Sequence, residues 1–351
     1  MKEDKEITIY DLAKHLKISA ATVSRSLKDH PGISKSTKKK VQEAAKEMGY
    51  RSNNFARNLR KQKTNTIGVI VPKLNSYFVS SAIAGMEKIA NENGYNLIIS
   101  QSLESVKKEI ANTITMFNSR VDGLLVSLAY DTENMEHFDV FFDKNIPVVF
   151  FDRVYEDSRS LNVIIDNYRN AYDITKHLVD EGCQRIMHIA GNLTRNVYAE
   201  RCRGYKDALR DAGVEFQDEL LIVNELSEEA GKELGKKILQ MQNKPDAVFV
   251  ANDVCAANCM QIIKTAGYSI PGDIAFAGFN NDPISKIVEP HLTTVNYPCY
   301  EMGEMAMRNL IDHLTGDGSI STTNKIILRS EIVVRASSLK GKGNNQGLHI
   351  A

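Results

Sequence analysis

The sequence predicts an α/β protein in two parts, with three short helices at its N-terminal end and a larger body of alternating strands and helices. Residues 8–50 contain three segments with apolar residues at helical spacing, separated by residues that favour helix caps and turns. After Thr66, short apolar segments are each followed by a longer helical segment, which is typical of parallel sheets covered by helices on both faces. We therefore expect a small helical domain joined to a larger domain of parallel sheets.

The first two helical segments have the spacing of a helix-turn-helix, a motif whose second helix enters the major groove of DNA. Apolar residues recur from Ile9 to Leu16, and Ser19 can accept a backbone N–H as the cap of a second helix over residues 20–27. Val23 and Leu27 give that helix a face that packs on the first. The residues expected to point outward are Ala20, Ala21, Ser24, Arg25 and Lys28.

Arg25 is the strongest candidate for reading base sequence. A planar guanidinium can make two hydrogen bonds to the edge of a guanine, which is worth roughly 1–3 kcal/mol of discrimination. Ala20 and Ala21 can offer only methyl contacts, for example to thymine.

A third helix is expected after the turn at Pro31 and Gly32, with Ser34 or Ser36 as its cap and Gly49 at its end. Three capped helices also form small bundles that do not bind DNA. Spacing alone therefore leaves both interpretations open.

The charges divide the chain at the same place. Residues 1–63 hold 16 Lys and Arg against 7 Asp and Glu, whereas the remaining residues hold 28 against 37. The formal net charge of zero therefore results from cancellation between a basic end and an acidic body. This asymmetry favours binding of the basic end to a polyanion, with an affinity that falls as the salt concentration rises.

The segment TIYDLAKHLKISAATVSRSLKDHPGISKSTKKKVQEAAKEMGY, followed by NNFARNLR and then TIGVIVP, resembles the LacI/GalR (lactose-repressor) family of bacterial transcription regulators. The similarity covers nearly the whole chain, and its most specific part is ATVSR with GY and Leu59 at fixed distances beyond it. The resemblance implies a helix-turn-helix DNA-binding domain (1–52), a hinge helix and linker (53–63), a two-lobed periplasmic-binding-protein-like domain with parallel sheets (64–340) and a flexible tail (341–351).

The resemblance also implies roles for single residues of the first part. Ala20, Ala21 and Arg25 match positions that read base edges, and two alanines there leave the operator sequence open. Positions that hold phosphates match Thr8, Tyr10, Ser19, Ser24, Ser34 and Thr37. The hinge helix contributes Asn53, Ala56, Leu59 and Arg60, and Leu59 is expected to wedge into a central minor-groove step and kink the duplex.

In the larger part, strands are predicted at residues 67–71, 97–100, 123–127, 148–151, 186–190, 247–251 and 274–278. Helices are predicted between them, for example over residues 79–93 and 167–181, which Gly94 and Gly182 terminate. About 285 residues exceed what one such core usually holds, so two sheets are expected. By resemblance, one lobe comprises 64–163 with 293–325 and the other 164–292 with 326–340.

Polar and aromatic side chains follow the predicted strands, where open parallel sheets bind small molecules. These residues include Tyr77, Phe78, Ser127, Asp152, Arg153, Asn252, Asp253 and the segments 192–201 and 280–282. Carboxylates, amides and guanidinium groups beside an aromatic wall suit a polyhydroxylated or heteroaromatic ligand. Capping of the helices that follow the strands is the alternative interpretation of the Asp and Asn residues.

The resemblance implies that Asp152, Arg201, Asn252 and Asn280 hold an effector in a cleft lined by Phe78, Ser127, Arg195, Val197 and Leu226. Tyr77 is added to this lining because it follows the first predicted strand. Asn280 stands where the founding sugar-binding member has aspartate, and Leu226 where it has an aromatic residue. Arg195 followed by Asn196 resembles purine-binding members. A carbohydrate effector is favoured, with a purine as the alternative.

The partners expected from these observations are near-palindromic double-stranded operator DNA, a small-molecule effector and a second copy of the chain. The resemblance places the dimer face on the helix near residues 77–93, and the tail after Ser338 lacks the heptads of a tetramerising coiled coil. Whether the effector releases DNA or promotes its binding is left open.

The other classes of protein fit the sequence less well. Cys183, Cys202, Cys255, Cys259 and Cys299 show no metal-ligand spacing, and we expect free thiols, no metal and no cofactor. An enzyme would need a nucleophile with its base, and a secreted solute-binding protein would need an export signal and no helix-turn-helix. We therefore expect a soluble cytoplasmic regulator, most often a repressor in this family, without contact to a membrane.

Overall fold

The structure is a computed structural model that describes residues 7–50, 63–155 and 159–341. The predictions for Asn53, Ala56, Leu59 and Arg60 lie outside these residues. The chain divides into two compact units, Met1–Thr64 and Asn65–Ala351.

The first unit contains the three predicted helices, α1 (Ile9–Leu16), α2 (Ala20–Leu27) and α3 (Lys35–Glu47). Each begins at a hydroxyl cap that accepts a backbone N–H, and the cap of α3 is Ser34, whereas Ser36 lies within the helix. Leu12, Val23 and Val41, one from each helix, are fully buried against one another. The three helices therefore form one small core.

The second unit alternates strands and helices. Its strands are β1 (Thr66–Val71), β2 (Asn96–Gln101), β3 (Gly123–Val126), β4 (Val148–Phe151), β5 (Leu161–Ile165), β6 (Ile186–Ala190), β7 (Leu221–Val223), β8 (Ala247–Val250), β9 (Ala275–Ala277), β10 (Thr294–Asn296), β11 (Lys325–Leu328) and β12 (Glu331–Val333). Its α-helices are α4 (Tyr77–Glu92), α5 (Val106–Asn118), α6 (Asp139–Asp143), α7 (Asn167–Asp180), α8 (Asn196–Asp211), α9 (Glu228–Gln240), α10 (Asp253–Thr265) and α11 (Cys299–Thr315).

The strands form two parallel sheets, as predicted. One sheet has six strands in the order β11-β5-β4-β3-β1-β2, and the other has four in the order β7-β6-β8-β9. All pairs within them are parallel. Each of the seven predicted strands exists to within one residue at either end, whereas β5, β7, β10, β11 and β12 were not predicted.

The lobe boundary expected after residue 325 is wrong in detail. β11 pairs with β5 in the six-stranded sheet, so residues 326–328 lie in the first lobe and not in the second. β10 and β12 form a separate antiparallel pair, and bridges from Thr293 and Asn296 connect this pair to the end of β9. The four residues of β11, KIIL, carry no information about which sheet they join, because pairing partners are distant in sequence.

One continuous cluster of buried apolar side chains extends through both lobes and includes Val69, Val149, Phe249 and Ala275. Two further clusters cover the other faces of the sheets. The central strands of both sheets are therefore buried on both faces, which explains why they read as nearly continuous apolar runs.

Three pairs of helices pack closely through glycine. A methyl group on Gly303 of α11 would overlap the carbonyl oxygen of Ala82 in α4, and one on Gly85 of α4 would overlap that of Tyr300 in α11. Gly204 makes the same close approach between α8 and α7, and Gly231 makes it between α9 and α10. The backbones of each pair can approach this closely only where no side chain intervenes.

The five cysteines are buried and unpaired. No helix within the described ranges is both long and apolar enough to cross a membrane. Among the same residues, no group of three or more His, Cys, Asp or Glu side chains could hold a metal ion.

Candidate DNA interface and effector cleft

Helix α2 exposes three of the five residues that were expected to point outward. Ala21, Arg25 and Lys28 are exposed, and Ser24 is half-buried. The prediction that Ala20 points outward is wrong, because this side chain is partly buried and packs against the core of the first unit. As the first residue of α2, it lies next to the turn that joins α2 to α1.

The predicted phosphate-binding residues are mostly helix caps. The Thr8 hydroxyl donates to Asp11 Oδ2 at 2.6 Å and accepts from the Asp11 amide. The Ser19 and Ser34 hydroxyls accept from backbone amides at 3.1 and 3.2 Å. Such caps are compatible with anion binding, since other N–H groups in the first turn of each helix have no partner within the helix.

The other two predicted phosphate contacts differ in exposure. Tyr10 is 73 % exposed, whereas Thr37 is half-buried and shares a hydrogen bond of 2.8 Å with the Ser34 hydroxyl.

A charged contact that the sequence analysis missed joins the end of α2 to α3. Lys38 Nζ donates to Asp29 Oδ1 at 2.6 Å and to the Asp29 carbonyl at 3.1 Å. This hydrogen bond and the positive charge lower the pKa of the Asp29 carboxyl. The contact therefore fixes the chain between the second and third helices.

Three of the predicted effector residues surround the hydroxyl and ring of Tyr297 in the second unit. The Tyr297 hydroxyl donates to Asp152 Oδ1 at 2.8 Å. The ring of Phe78 meets that of Tyr297 edge to face at 4.9 Å, and the Arg201 guanidinium lies 5.9 Å from the same ring centroid. Asp152, Phe78 and Arg201 thus converge, although they lie far apart in the sequence.

Arg201 is held in a fixed position by neutral partners. Its Nε donates to Asn167 Oδ1 at 2.9 Å and its Nη1 to the Ala251 carbonyl at 3.1 Å. The guanidinium stacks 3.6 Å from the centroid of Phe279. Because the side chain is buried, the pKa of Arg201 is lowered from its usual value.

Burial and nearby positive charge shift the pKa of the Asp152 carboxyl in opposite directions. Burial raises the pKa of its carboxyl, and the guanidinium groups of Arg153 and Arg201 oppose this rise. Its backbone has φ of +59°, a conformation that costs energy for a residue other than glycine and is typical of functional sites. The strained turn directs the carboxylate toward Tyr297.

Two predicted effector residues have buried polar atoms without a hydrogen-bond partner. These atoms are Ser127 Oγ, at the end of β3, and Arg195 Nε, before α8. The Arg195 Nη2 donates to the Thr132 carbonyl. Unpaired buried donors are costly and favour a ligand or water with an acceptor atom.

The other predicted effector residues lie in environments that differ from one another. Val197 and Leu226 belong to the apolar core of the second lobe, and Tyr77 is 52 % exposed at the start of α4. Asn252 caps α10 by accepting from the Cys255 amide at 3.0 Å, which is the helix-capping alternative. Asn280 has φ of +119°, and its side chain opposes the rise that burial causes in the pKa of the Asp282 carboxyl.

Sequence reasoning missed several residues that border this cleft, including Glu104, Tyr130, Phe279 and Tyr297. Arg153, one of the residues expected at the end of a predicted strand, forms an ion pair of 2.7 Å with Glu104. Tyr297 follows directly after β10, so the strand-end rule would have found it if β10 had been recognised.

Comparison with known proteins gives two family matches. Residues 8–53 match the model of bacterial regulatory proteins of the lacI family, and residues 175–338 match a periplasmic binding protein-like domain. Catabolite control protein A of Priestia megaterium is 34% identical over 318 residues, which cover 90% of this chain and 95% of that protein.

Solved structures show the same architecture. The transcriptional regulator CelR in complex with cellobiose is 25% identical with a TM-score of 0.71, over 95% of this chain and 100% of that one. The Lac repressor dimer bound to operator and the anti-inducer ONPF is 23% identical with a TM-score of 0.82, over the same shares of the two chains.

Proposed function

The chain belongs to the LacI family of bacterial regulatory proteins, and on this basis we propose that it represses transcription from an operator under the control of a small-molecule effector. It is a transcription regulator with a helix-turn-helix DNA-binding domain and an effector-binding domain. The observation that carries the proposal is the exposed guanidinium of Arg25 on the second helix of a strongly basic unit.

The proposed contacts to DNA follow from exposure. Arg25 reads a guanine in the major groove, Ala21 contacts a thymine methyl group, and Lys28 neutralises a phosphate. The N-termini of α1, α2 and α3, with caps at Thr8, Ser19 and Ser34, set the register on the backbone.

We propose a carbohydrate as the effector. Asp152 and Arg201 supply a charged acceptor and a charged donor, and Phe78 and Tyr297 supply apolar ring faces, which together suit a sugar ring with several hydroxyls. The cellobiose complex of a related regulator supports this class. A purine is the second candidate, because the unpaired Nε of Arg195 suits an acceptor on a base.

The chain acts as a homodimer in this proposal. β2 is an edge strand of the six-stranded sheet, and an apolar surface with Ile98 and Ile99 of β2 and Ile110 and Ile114 of α5 is exposed beside it. Burial of this face against a second copy would remove apolar side chains from water and cover the sheet edge. A two-fold dimer presents two reading helices to a near-palindromic operator.

A binding role, and not a catalytic one, is proposed for the cleft, since the relatives are transcription regulators. A protein that binds the bacterial chromosome acts in the cytoplasm.

Binding of DNA fragments selected from the genome of the source organism tests the proposal. We expect Arg25→Ala to weaken binding to the selected operator by about 5- to 150-fold, the range of one lost bidentate base contact, with a much smaller effect on random duplex. Lys46→Ala is the control, because Lys46 is exposed at the last turn of α3 and is not a proposed contact. Equal losses on both duplexes would remove Arg25 from the reading role, and no binding by the parent would refute the function.

A further inference from the structure

Direct hydrogen bonds join the two lobes across the cleft. The side-chain amide of Asn196, at the start of α8 in the second lobe, bonds in both directions with the chain that follows β4 in the first. Asn196 Nδ2 donates to the Asp152 carbonyl at 3.1 Å, and Asn196 Oδ1 accepts from the Val154 amide at 3.0 Å. One side chain therefore satisfies two backbone groups of the opposite lobe.

Arg153 fills the space beside this contact. Its guanidinium lies 4.4 Å from the ring centroid of Tyr130 and 5.6 Å from that of Tyr198, which belongs to the second lobe. Nη1 donates to Glu104 at 2.7 Å and Nη2 to the Tyr198 hydroxyl at 3.2 Å. The Arg153 and Glu104 side chains are 11% and 15% exposed. An ion pair this enclosed is weakly screened by solvent.

The rim of the cleft is joined in the same way. Asn192 Nδ2 donates to the Tyr130 carbonyl at 2.9 Å, and the Arg195 guanidinium donates to the Thr132 carbonyl. These bonds connect the start of α8 and the loop before it to the chain that follows β3. The contacts across the cleft therefore extend from its rim to Asp152.

We infer that the chain closes its effector cleft with its own side chains. A latch formed by Glu104, Tyr130, Arg153, Asn196 and Tyr198 holds the two lobes together without a small molecule. Arg153 lies against the rings of Tyr130 and Tyr198, whose centroids are 5.8 Å apart. It covers the aromatic surface on which a ring-shaped ligand would stack, and such a ligand enters only when Arg153 moves away. This inference rests on the proposed function, since it concerns how the effector site is regulated.

The latch has a direct consequence for effector affinity. A ligand that binds only the open cleft binds with an apparent dissociation constant that is increased by the reciprocal of the open fraction. Any change that opens the latch therefore makes the site easier to fill. Arg153 acts as a gate, and Asn196 positions the two lobes for it.

The distance between spin labels on the two lobes tests the latch in the full chain. Lys107→Cys on α5 and Lys237→Cys on α9 provide exposed labelling sites, whereas the five native cysteines are buried. The labelled chain is diluted into an excess of unlabelled protein, so that distances between protomers of a dimer do not contribute. For the parent without any added small molecule, we expect one narrow distance distribution. Asn196→Ala removes two hydrogen bonds, which shifts the ratio of open to closed molecules by about tenfold, and the distribution then broadens or gains a second component.

Arg153→Ala is the second variant, so that the test does not depend on the folding of a single variant. It removes the Arg153 contacts to Glu104 and Tyr198, and we expect the distance distribution to broaden or to gain a second component as it does for Asn196→Ala. Arg169→Ala is the matched control, because Arg169 forms its ion pair with Asp173 within one helix and should leave the distribution as in the parent. A broad distribution in the parent, or Asn196→Ala and Arg153→Ala distributions identical to that of the control, would overturn the inference. Operator binding of the same samples tests the proposed function separately, because the label distance does not depend on it.

Discussion

At the residue scale, a pair of buried carboxyl groups lies beside the strands that link the lobes. Asp253 is fully buried at the start of α10, where it accepts from the Asp282 amide at 2.8 Å and the Thr294 hydroxyl at 2.7 Å. Gly278 leaves the space for this carboxyl, since a methyl group there would overlap it. Burial, and then the nearby carboxyl of Asp282, raise the pKa of Asp253 to about 7.

We expect Asp253→Asn to change how the stability of the protein depends on pH. Between about pH 4 and pH 7, Asp253 is ionised in the unfolded chain and keeps its proton in the folded chain. The contribution of Asp253 to the free energy of unfolding of the parent therefore falls as pH rises. Asparagine does not titrate, and its amide can accept from the Asp282 N–H and donate to Thr294. The parent should therefore lose about 1–3 kcal/mol relative to the variant from pH 4.5 to pH 8.

Urea unfolding of both proteins at the two pH values measures this difference. The other titrating groups are common to both proteins, so they largely cancel. The Asp282 carboxyl, whose pKa is raised to about 6 mainly by burial, is one of these common groups, since it is present in both proteins. A difference between the two proteins that is the same at pH 4.5 and pH 8 would contradict the prediction.

Single residues could be predicted from the sequence where the chemistry is local. Ser19 and Ser34 cap helices because a hydroxyl before a helix reaches an amide only three residues away. Tyr297 was missed because its partner, Asp152, lies 145 residues away. The prediction that Ala20 points outward was wrong, because the spacing of residues along a helix does not show which side of its first turn the neighbouring helix covers.

At the scale of secondary-structure elements, the close pairing of α4 with α11 depends on two glycines. Each lies opposite a carbonyl oxygen of the other helix, so the two backbones are nearly in contact. This pairing also covers one face of the six-stranded sheet, because Met86 of α4 and Met307 of α11 belong to the same buried cluster as Val69 and Val149.

We expect Gly303→Ala to destabilise the protein, although alanine favours helix formation in general. The added methyl group overlaps the Ala82 carbonyl and forces α11 away from α4, which should cost about 1–3 kcal/mol. The measurement is the thermal unfolding midpoint. Arg308→Ala is the control, because Arg308 is exposed on the same helix and should change the midpoint little. A midpoint for Gly303→Ala at or above that of the parent would contradict the tight packing.

Elements were predictable from the sequence where they are long or wholly apolar. β4 and β6 match their predicted bounds because β4 is a short apolar run and β6 is apolar except for His188. β10 and β12 have three residues each, and such segments are too short to show a period. The glycine contacts between helices could not be predicted, because the sequence does not show which helices are neighbours.

At the scale of the whole molecule, the charges separate two tasks within one chain. The basic residues in 1–63 favour the polyanion, and the acidic remainder is repelled by it, so DNA is directed to the reading helices. An effector changes the affinity for DNA only through its different affinity for two arrangements of the protein. A site residue can therefore be tested through the response of operator binding to a ligand.

We expect Arg201→Ala to abolish the response to an effector while operator binding persists. Arg201 supplies the charged donor of the cleft, whereas it lies in the unit that does not contain the reading helices. A thermal-shift screen of sugars, sugar acids and purines on the parent identifies the ligand, since a molecule that binds the folded state raises the midpoint. Operator binding with and without that ligand then measures the response.

Arg201→Lys is a useful second variant in this test, because it keeps the charge but not the planar group that stacks on Phe279. If Arg201→Ala responds to the ligand as the parent does, Arg201 is not an effector contact.

The convergence of residues at the ends of the strands could be predicted, but the contacts of the side chains that fill the cleft could not. Strand-end reasoning placed Asp152 and Phe78 near one another because the carboxyl ends of parallel strands share an edge. The contact of Arg153 with the rings of Tyr130 and Tyr198 depends on how closely the two lobes approach each other, and no periodicity in the sequence records that distance.

The position of β11 has a consequence for how the protein is made. The six-stranded sheet contains β1 from near the beginning of the body and β11 from residues 325–328, which the ribosome adds after every strand of the four-stranded sheet. Until those residues emerge, the edge of β5 has no neighbour and resembles the exposed strands that recruit other chains. The first lobe, although it begins to emerge early, is therefore among the last parts of the nascent polypeptide to be completed.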